Sequence, residues 1–128
     1  MQIRVYYEDT DAGGVVYHAN YLKYCERARS EFFFQAGLTP VIDDAHFVIR
    51  KMDCDFLKSA FFADMLDVTS RIEIINRASF VMIQEIKRNG EVLFRTRATL
   101  VLAKDGKPKK IDSNIKDLLQ SLFAKIEQ

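Results

Sequence analysis

The sequence predicts an α+β domain in which a five-stranded antiparallel sheet wraps around one long helix. Three observations carry this. Residues 18–36 follow helical periodicity and are apolar over about half the circumference, too wide a face for a helix resting on a surface. Three long strand patterns then follow one another directly, which favours antiparallel pairing with the helix on one side of the sheet. Asn89-Gly90 stands between the last two and is a strong hairpin signal, because a type I′ turn needs positive φ at both central positions. At 128 residues the chain reads as one domain, 1–128, long enough for a substantial core.

The elements follow in order. Residues 2–7 read as a strand with Ile3, Val5 and Tyr7 on one face. An acidic stretch, Glu8-Asp9-Thr10-Asp11, leads through Gly13-Gly14 into the helix. On that helix Tyr21, Leu22, Tyr24, Cys25, Ala28, Phe32, Phe33 and Ala36 share one side, and Lys23, Arg27, Ser30 and Glu31 the other. Gly37 suits its C-terminal cap and Pro40 forbids its continuation. Two residues break the pattern. Arg29 lies within the apolar arc, as a charge paired with Glu26 or at a subunit contact, and Phe34 lies on the polar side, hinting at a second buried surface. Residues 46–57 form a long strand in which neither face is cleanly apolar. In the next, 65–75, Leu66, Val68, Ser70, Ile72 and Ile74 alternate with polar residues. Strands at 79–88 and 91–104 complete the sheet, the last with Val92, Phe94, Thr96, Ala98, Leu100 and Leu102 inward. A short amphipathic helix over 113–126 closes the chain, with Ile115, Leu118, Leu119, Leu122 and Ile126 on one stripe.

A net charge of +1 without a long basic run gives no reason to expect nucleic acid as a partner. The N-terminus enters the first strand with no leader pattern, and no apolar run approaches the ~20 residues of a membrane span. Two cysteines, Cys25 and Cys54, have neither metal-site spacing nor disulfide density. A cytoplasmic protein with reduced thiols is the expectation.

Chemistry concentrates in residues 6–21. Asp9-x-Asp11 invites comparison with a calcium loop, but Gly13 and Asn20 stand where ligands are required. The histidines give no zinc pattern, the glycines no dinucleotide or P-loop fingerprint, and no serine sits in a nucleophile elbow. A carboxylate-centred site remains. Asp11 precedes a Gly-Gly turn, which lets backbone approach a ligand closely, and His18 stands at a helix start whose free N–H groups can polarise a carbonyl. Glu8, Asp9 and Asp11 as a solvated acidic loop, and His18 as a capping residue, are the competing readings.

The run Tyr7-Glu8-Asp9-Thr10-Asp11-Ala12-Gly13-Gly14-Val15-Val16-Tyr17-His18-Ala19-Asn20-Tyr21 resembles the signature of hot-dog-fold acyl-CoA thioesterases of the 4-hydroxybenzoyl-CoA thioesterase type. It is most like the small bacterial branch associated with the Tol–Pal envelope system. The likeness is specific over 5–33, continues to about 104, and takes in Arg77-x-Ser79-Phe80. It implies a sheet wrapped around the central helix, homodimers or homotetramers with joined sheets, active sites at the subunit interface, and no cofactor or metal. Carried over, Asp11 is the catalytic carboxylate, as nucleophile or as base for water, with Tyr7 and His18 beside it. Gly14, Tyr17, Arg77 and Ser79 become substrate-binding positions, Arg77 toward the CoA phosphates. The substrate would be acyl-CoA, or the same acyl group on acyl-carrier protein, with envelope or phospholipid-synthesis partners at the inner membrane face. The alternative is a non-catalytic acyl-chain binder or scaffold at that face. Dehydration, which relatives perform with a His before Pro-Gly, falls behind because Asp11 stands here without that Pro.

Overall fold

The computed structural model describes residues 1–123. Seven strands form one antiparallel sheet: β1 (Gln2–Arg4), β2 (Val41–Ile42), β3 (Ala45–Phe56), β4 (Met65–Ile75), β5 (Ser79–Arg88), β6 (Glu91–Lys104) and β7 (Lys107–Pro108). Their order is β1-β4-β5-β6-β3-β2, with β7 also against β6. Helix α1 (His18–Gln35) is the central helix of this curled sheet, and α2 (Ser113–Phe123) lies near its C-terminal end. Ile126, assigned to the same apolar stripe from sequence, lies outside the described residues.

The five expected strands stand close to where periodicity puts them, with two corrections. Short ladders at β2 and β7 raise the count from five to seven. The first strand stops at Arg4, and Tyr7–Asp9 turn into a 3-10 helix because the Asp9 carboxylate accepts the Tyr6 N–H at 2.9 Å. That local bond competes with continuation of the strand. Ile3 and Val5 are buried as expected, whereas Tyr7 is exposed and packs on Phe62.

Two bulges explain the imperfect alternations. In β3 the pairing with β6 slips between Ile49 and Lys51, so Ala45 and Phe47 turn inward before the slip and Met52 and Cys54 after it. A one-residue insertion exchanges the faces of everything beyond it, which is why neither face of 46–57 reads cleanly. In β4 the slip falls between Ile72 and Ile74, so Ile74 is exposed and Ile75 packs on the core instead.

The core has two halves along α1. Around its first turns, Tyr21, Tyr24, Cys25 and Ala28 meet Val5, Leu66, Val68 and Phe94. Toward its end, Phe33 meets Phe80, Met82, Leu100 and Phe123 of α2. The helix ends in a Schellman arrangement: Gly37 has φ +76°, its N–H bonds the Phe34 carbonyl, and Leu38 N–H bonds that of Phe33 at 2.8 Å. Phe34 is half exposed, so no second buried surface forms within one chain. Arg29 does not pair with Glu26 within the chain: it donates to Gln84 Oε1 at 2.9 Å, while Glu26 accepts from Ser30. Because β2 pairs only with Ala45 and His46, the outer edge of β3 from 47 to 56 has no strand beside it among the described residues.

Candidate active site

The acidic loop is a tight hairpin. Gly14 N–H bonds the Asp11 carbonyl at 3.0 Å, and Asp11 N–H bonds that of Val15 at 2.9 Å. Gly14 supplies the required left-handed residue at φ +83°. The Asp11 carboxylate folds over the turn and accepts Gly13 N–H at 2.8 Å. A Cβ on Gly13 would sit 3.2 Å from that same oxygen, so glycine there leaves the carboxylate its place. The loop is clamped from below by Val16 N–H to the Ala60 carbonyl, and Ala60 N–H in turn donates to the Tyr21 hydroxyl at 3.0 Å.

Asp9 serves the scaffold. Its carbonyl receives Tyr17 N–H at 2.9 Å and the Asn20 amide at 2.8 Å, pinning the loop onto the start of α1. Tyr17, the N-cap residue, makes no side-chain cap bond. The N–H groups of His18 and Ala19 therefore carry no hydrogen bond among the described residues, which leaves the positive end of the helix dipole open to a ligand.

Asp11 and His18 line one cleft of about 300 Å³, with Tyr21, Phe56, Leu57 and Lys58 among its other walls. The His18 ring stacks obliquely on Tyr17 and meets the edge of Phe56. Tyr21 lies flat against Phe94, centroids 5.2 Å apart, and burial raises its pKa. Behind it the Tyr24 hydroxyl is buried without a hydrogen bond, and burial followed by the nearby Asp9 carboxylate holds it well above the ordinary tyrosine range. A nonionised aromatic floor under an exposed carboxylate suits an apolar group bearing a carbonyl.

The other sequence-nominated residues divide. Gly14 and Tyr17 flank the cleft without lining it, and Tyr7 stands apart on Phe62. Arg77 and Ser79 lie at the far end of the sheet. Ser79 pairs with Val101, while Phe56, at the cleft, pairs with Phe94, and those seven positions along β6 correspond to roughly 23 Å. Sequence reading missed Phe56, Leu57 and Lys58. Their signal was faint: an apolar pair and a cation just where a strand ends, with Lys58 held by Glu91 at 2.6 Å.

The family model described as "Thioesterase superfamily" matches residues 13–94. The Helicobacter pylori (strain ATCC 700392 / 26695) protein named acyl-CoA thioesterase YbgC is 51% identical over 86 residues, which is 67% of this chain and 65% of that protein. The chain thus matches just under two thirds of that relative's length. The Escherichia coli O6:H1 protein named acyl-CoA thioester hydrolase YbgC is 40% identical over 108 residues, 80% of this chain and 79% of its own. Among solved structures, a probable thioesterase from Bartonella henselae superposes with a TM-score of 0.82 at 34% identity, covering 88% of this chain and 97% of that one.

Proposed function

The chain belongs to the thioesterase superfamily, and from that premise we propose that it hydrolyses acyl-CoA thioesters to the free acid and CoA, with Asp11 carrying the attack. The supporting observation is a single cleft in which an exposed carboxylate stands beside a helix start with unbonded N–H groups. A thioester carbonyl seated on those N–H groups has its developing negative charge met as the tetrahedral intermediate forms. Asp11 then acts either as the nucleophile, forming a mixed anhydride that water opens, or as the base that deprotonates attacking water. Thiolate leaves readily, so no strong general acid is required, and His18 orients water or substrate.

The CoA end needs basic groups, because CoA is polyanionic. In one chain Arg77 and Ser79 are too far from Asp11 to serve. A two-fold pairing of β3 edges removes the difficulty. Antiparallel pairing centred on Met52 sets the Phe56 row of one protomer against the Val48 row of its partner, and Val48 shares Val101 with Ser79. The exposed side chains of Val48, Ile49 and Phe56 and the open strand edge suit that contact. Tyr7 stands on an exposed ledge with Phe62. No helix among the described residues is long and apolar enough to cross a membrane.

A steady-state screen over acyl-CoAs of increasing chain length tests the proposal through release of free CoA thiol. Turnover that rises and falls with acyl length is expected. A folded protein that turns over none of them would overturn it and leave acyl binding without chemistry.

A further inference from the structure

Among the described residues the Tyr24 hydroxyl is the buried side-chain polar atom that has no hydrogen bond. Its ring is fixed in place. Tyr24 is 1% exposed near the second turn of α1 and meets Tyr21 edge-on, centroids 6.4 Å apart, and Tyr21 is itself stacked on Phe94. A buried donor left unsatisfied carries its desolvation cost with nothing in return. In a well-packed core such an orphan calls for a reason.

The reason lies in its neighbour. Burial, followed by the Asp9 carboxylate beside it, holds the hydroxyl well above the ordinary tyrosine range, so it keeps its proton for donation. The contact stops short of hydrogen-bond geometry. Asp9 belongs to the surface loop and is only partly buried, and its Oδ2 accepts Tyr6 N–H at 2.9 Å. Its carbonyl accepts Tyr17 N–H and the Asn20 amide, directly before the open N–H groups of His18 and Ala19. Asp11 follows two residues later. Asp9 is therefore the joint between the reactive carboxylate and the helix start. The core presents that joint with a rigid, protonated donor that it does not quite meet.

We propose that Tyr24 is a positioning residue: its hydroxyl donates to the Asp9 carboxylate as an acyl carbonyl seats on the helix-start N–H groups, and the completed bond locks the Asp11 loop against α1. This rests on the hydrolase reading and deepens it. The bond is unmade in the free protein and strengthens as the carbonyl oxygen gains charge and draws loop and helix start together. An interaction that grows toward the transition state acts on kcat more than on KM.

Tyr24→Phe removes one oxygen and keeps the ring. Its melting temperature should hold or rise, because no bond is lost from the free protein, whereas kcat for acyl-CoA should fall about tenfold with KM within about twofold. Asp9→Asn keeps one oxygen for Tyr6 N–H and replaces the other by NH2. In that background Tyr24→Phe should add little, since the two residues act as one pair. An unchanged kcat, a kcat loss matched by a fall in melting temperature, or additive losses in the double variant would overturn the proposal. A second readout needs no turnover. Tyrosine labelled with carbon-13 at the hydroxyl-bearing ring carbon is followed while the protein is titrated with an acyl-CoA analogue in which CH2 replaces the thioester sulfur. The analogue keeps the carbonyl and cannot be hydrolysed. The Tyr24 signal, assigned by its loss in Tyr24→Phe, should move downfield on binding and stay in place in Asp9→Asn; no shift in the wild-type chain would overturn the proposal. If the chain hydrolyses no acyl-CoA, the hydrolase reading fails by itself, and the labelled-tyrosine shift still decides whether Tyr24 closes on Asp9.

Discussion

Replacing Asp11 by Asn isolates charge from shape. The carboxylate's contact with the chain is one bond, Gly13 N–H to Oδ1 at 2.8 Å, and the Asn amide oxygen can accept it equally. The two backbone bonds that close the hairpin do not involve the side chain. Asp11 is exposed, so the change in stability should stay within about 0.5 kcal/mol. Chemistry has no such substitute. Neither a nucleophile nor a base survives as an amide, and loss of general-base catalysis alone costs about 10²–10⁴-fold, or upward of about 2.7 kcal/mol in the barrier. The assay is initial-rate CoA release at saturating acyl-CoA, with circular dichroism and thermal melting on the same preparations. Gly13→Ala is the companion variant. Its new Cβ, 3.2 Å from Oδ1, must displace the carboxylate by a few tenths of an ångström, so its rate should fall between wild type and Asp11→Asn. Near wild-type turnover by a folded Asp11→Asn protein would refute the assignment, and Glu8 would become the carboxylate to test.

His18→Ala should lower kcat less than Asp11→Asn does, because the backbone N–H at that position remains, and the same rate assay ranks the two. Arg77→Ala should raise KM for acyl-CoA and spare small thioesters that lack the nucleotide; equal effects on both would remove Arg77 from the CoA site. Light scattering at micromolar concentration should show a dimer or tetramer, since a monomer leaves Arg77 and Ser79 roughly 23 Å from the cleft by strand geometry. Burial pushes the Cys25 thiol up to about 12, from an ordinary value of 9.0, so it stays protonated through neutral and mildly alkaline pH. Iodoacetamide at pH 8 should therefore modify the partly buried Cys54 well before Cys25, as read by peptide mass spectrometry.

Much of the architecture was legible because burial writes itself into period. The apolar arc of α1 is where the core is: Tyr21, Tyr24, Cys25, Ala28 and Phe33 are its buried residues. The Asn89-Gly90 turn has φ of 51° and 82°, as its sequence requires. Illegible were the features that no period encodes. A bulge at Arg50 needs one residue of slack, which no local pattern announces. The 3-10 turn at Tyr7–Asp9 depends on one Asp9 side chain reaching back to Tyr6 N–H, which moved Tyr7 from a strand face to an exposed ledge.

The site was legible on one side only, and for a related reason. Asp11, the glycines and His18 are neighbours in the chain, so spacing alone brings them together. Phe56, Leu57 and Lys58 reach the cleft because β3 runs its full length beside β6 and ends where the α1 loop begins, a fact of register. The same register separates Arg77 and Ser79 from Asp11 within one chain. It also leaves β3 as the open edge, with the Asp11 cleft at one end and a cavity beside Arg29 at the other. Antiparallel pairing of two such edges is a two-fold operation, and a two-fold brings unlike ends together. The β3 edge is therefore the element on which the proposed CoA site depends. Charged substitutions at exposed apolar positions of that edge, such as Val48→Glu, put unpaired charges into the contact. They should split the oligomer and raise KM for acyl-CoA together; a monomer with unchanged KM would separate assembly from substrate binding and return the whole site to one chain.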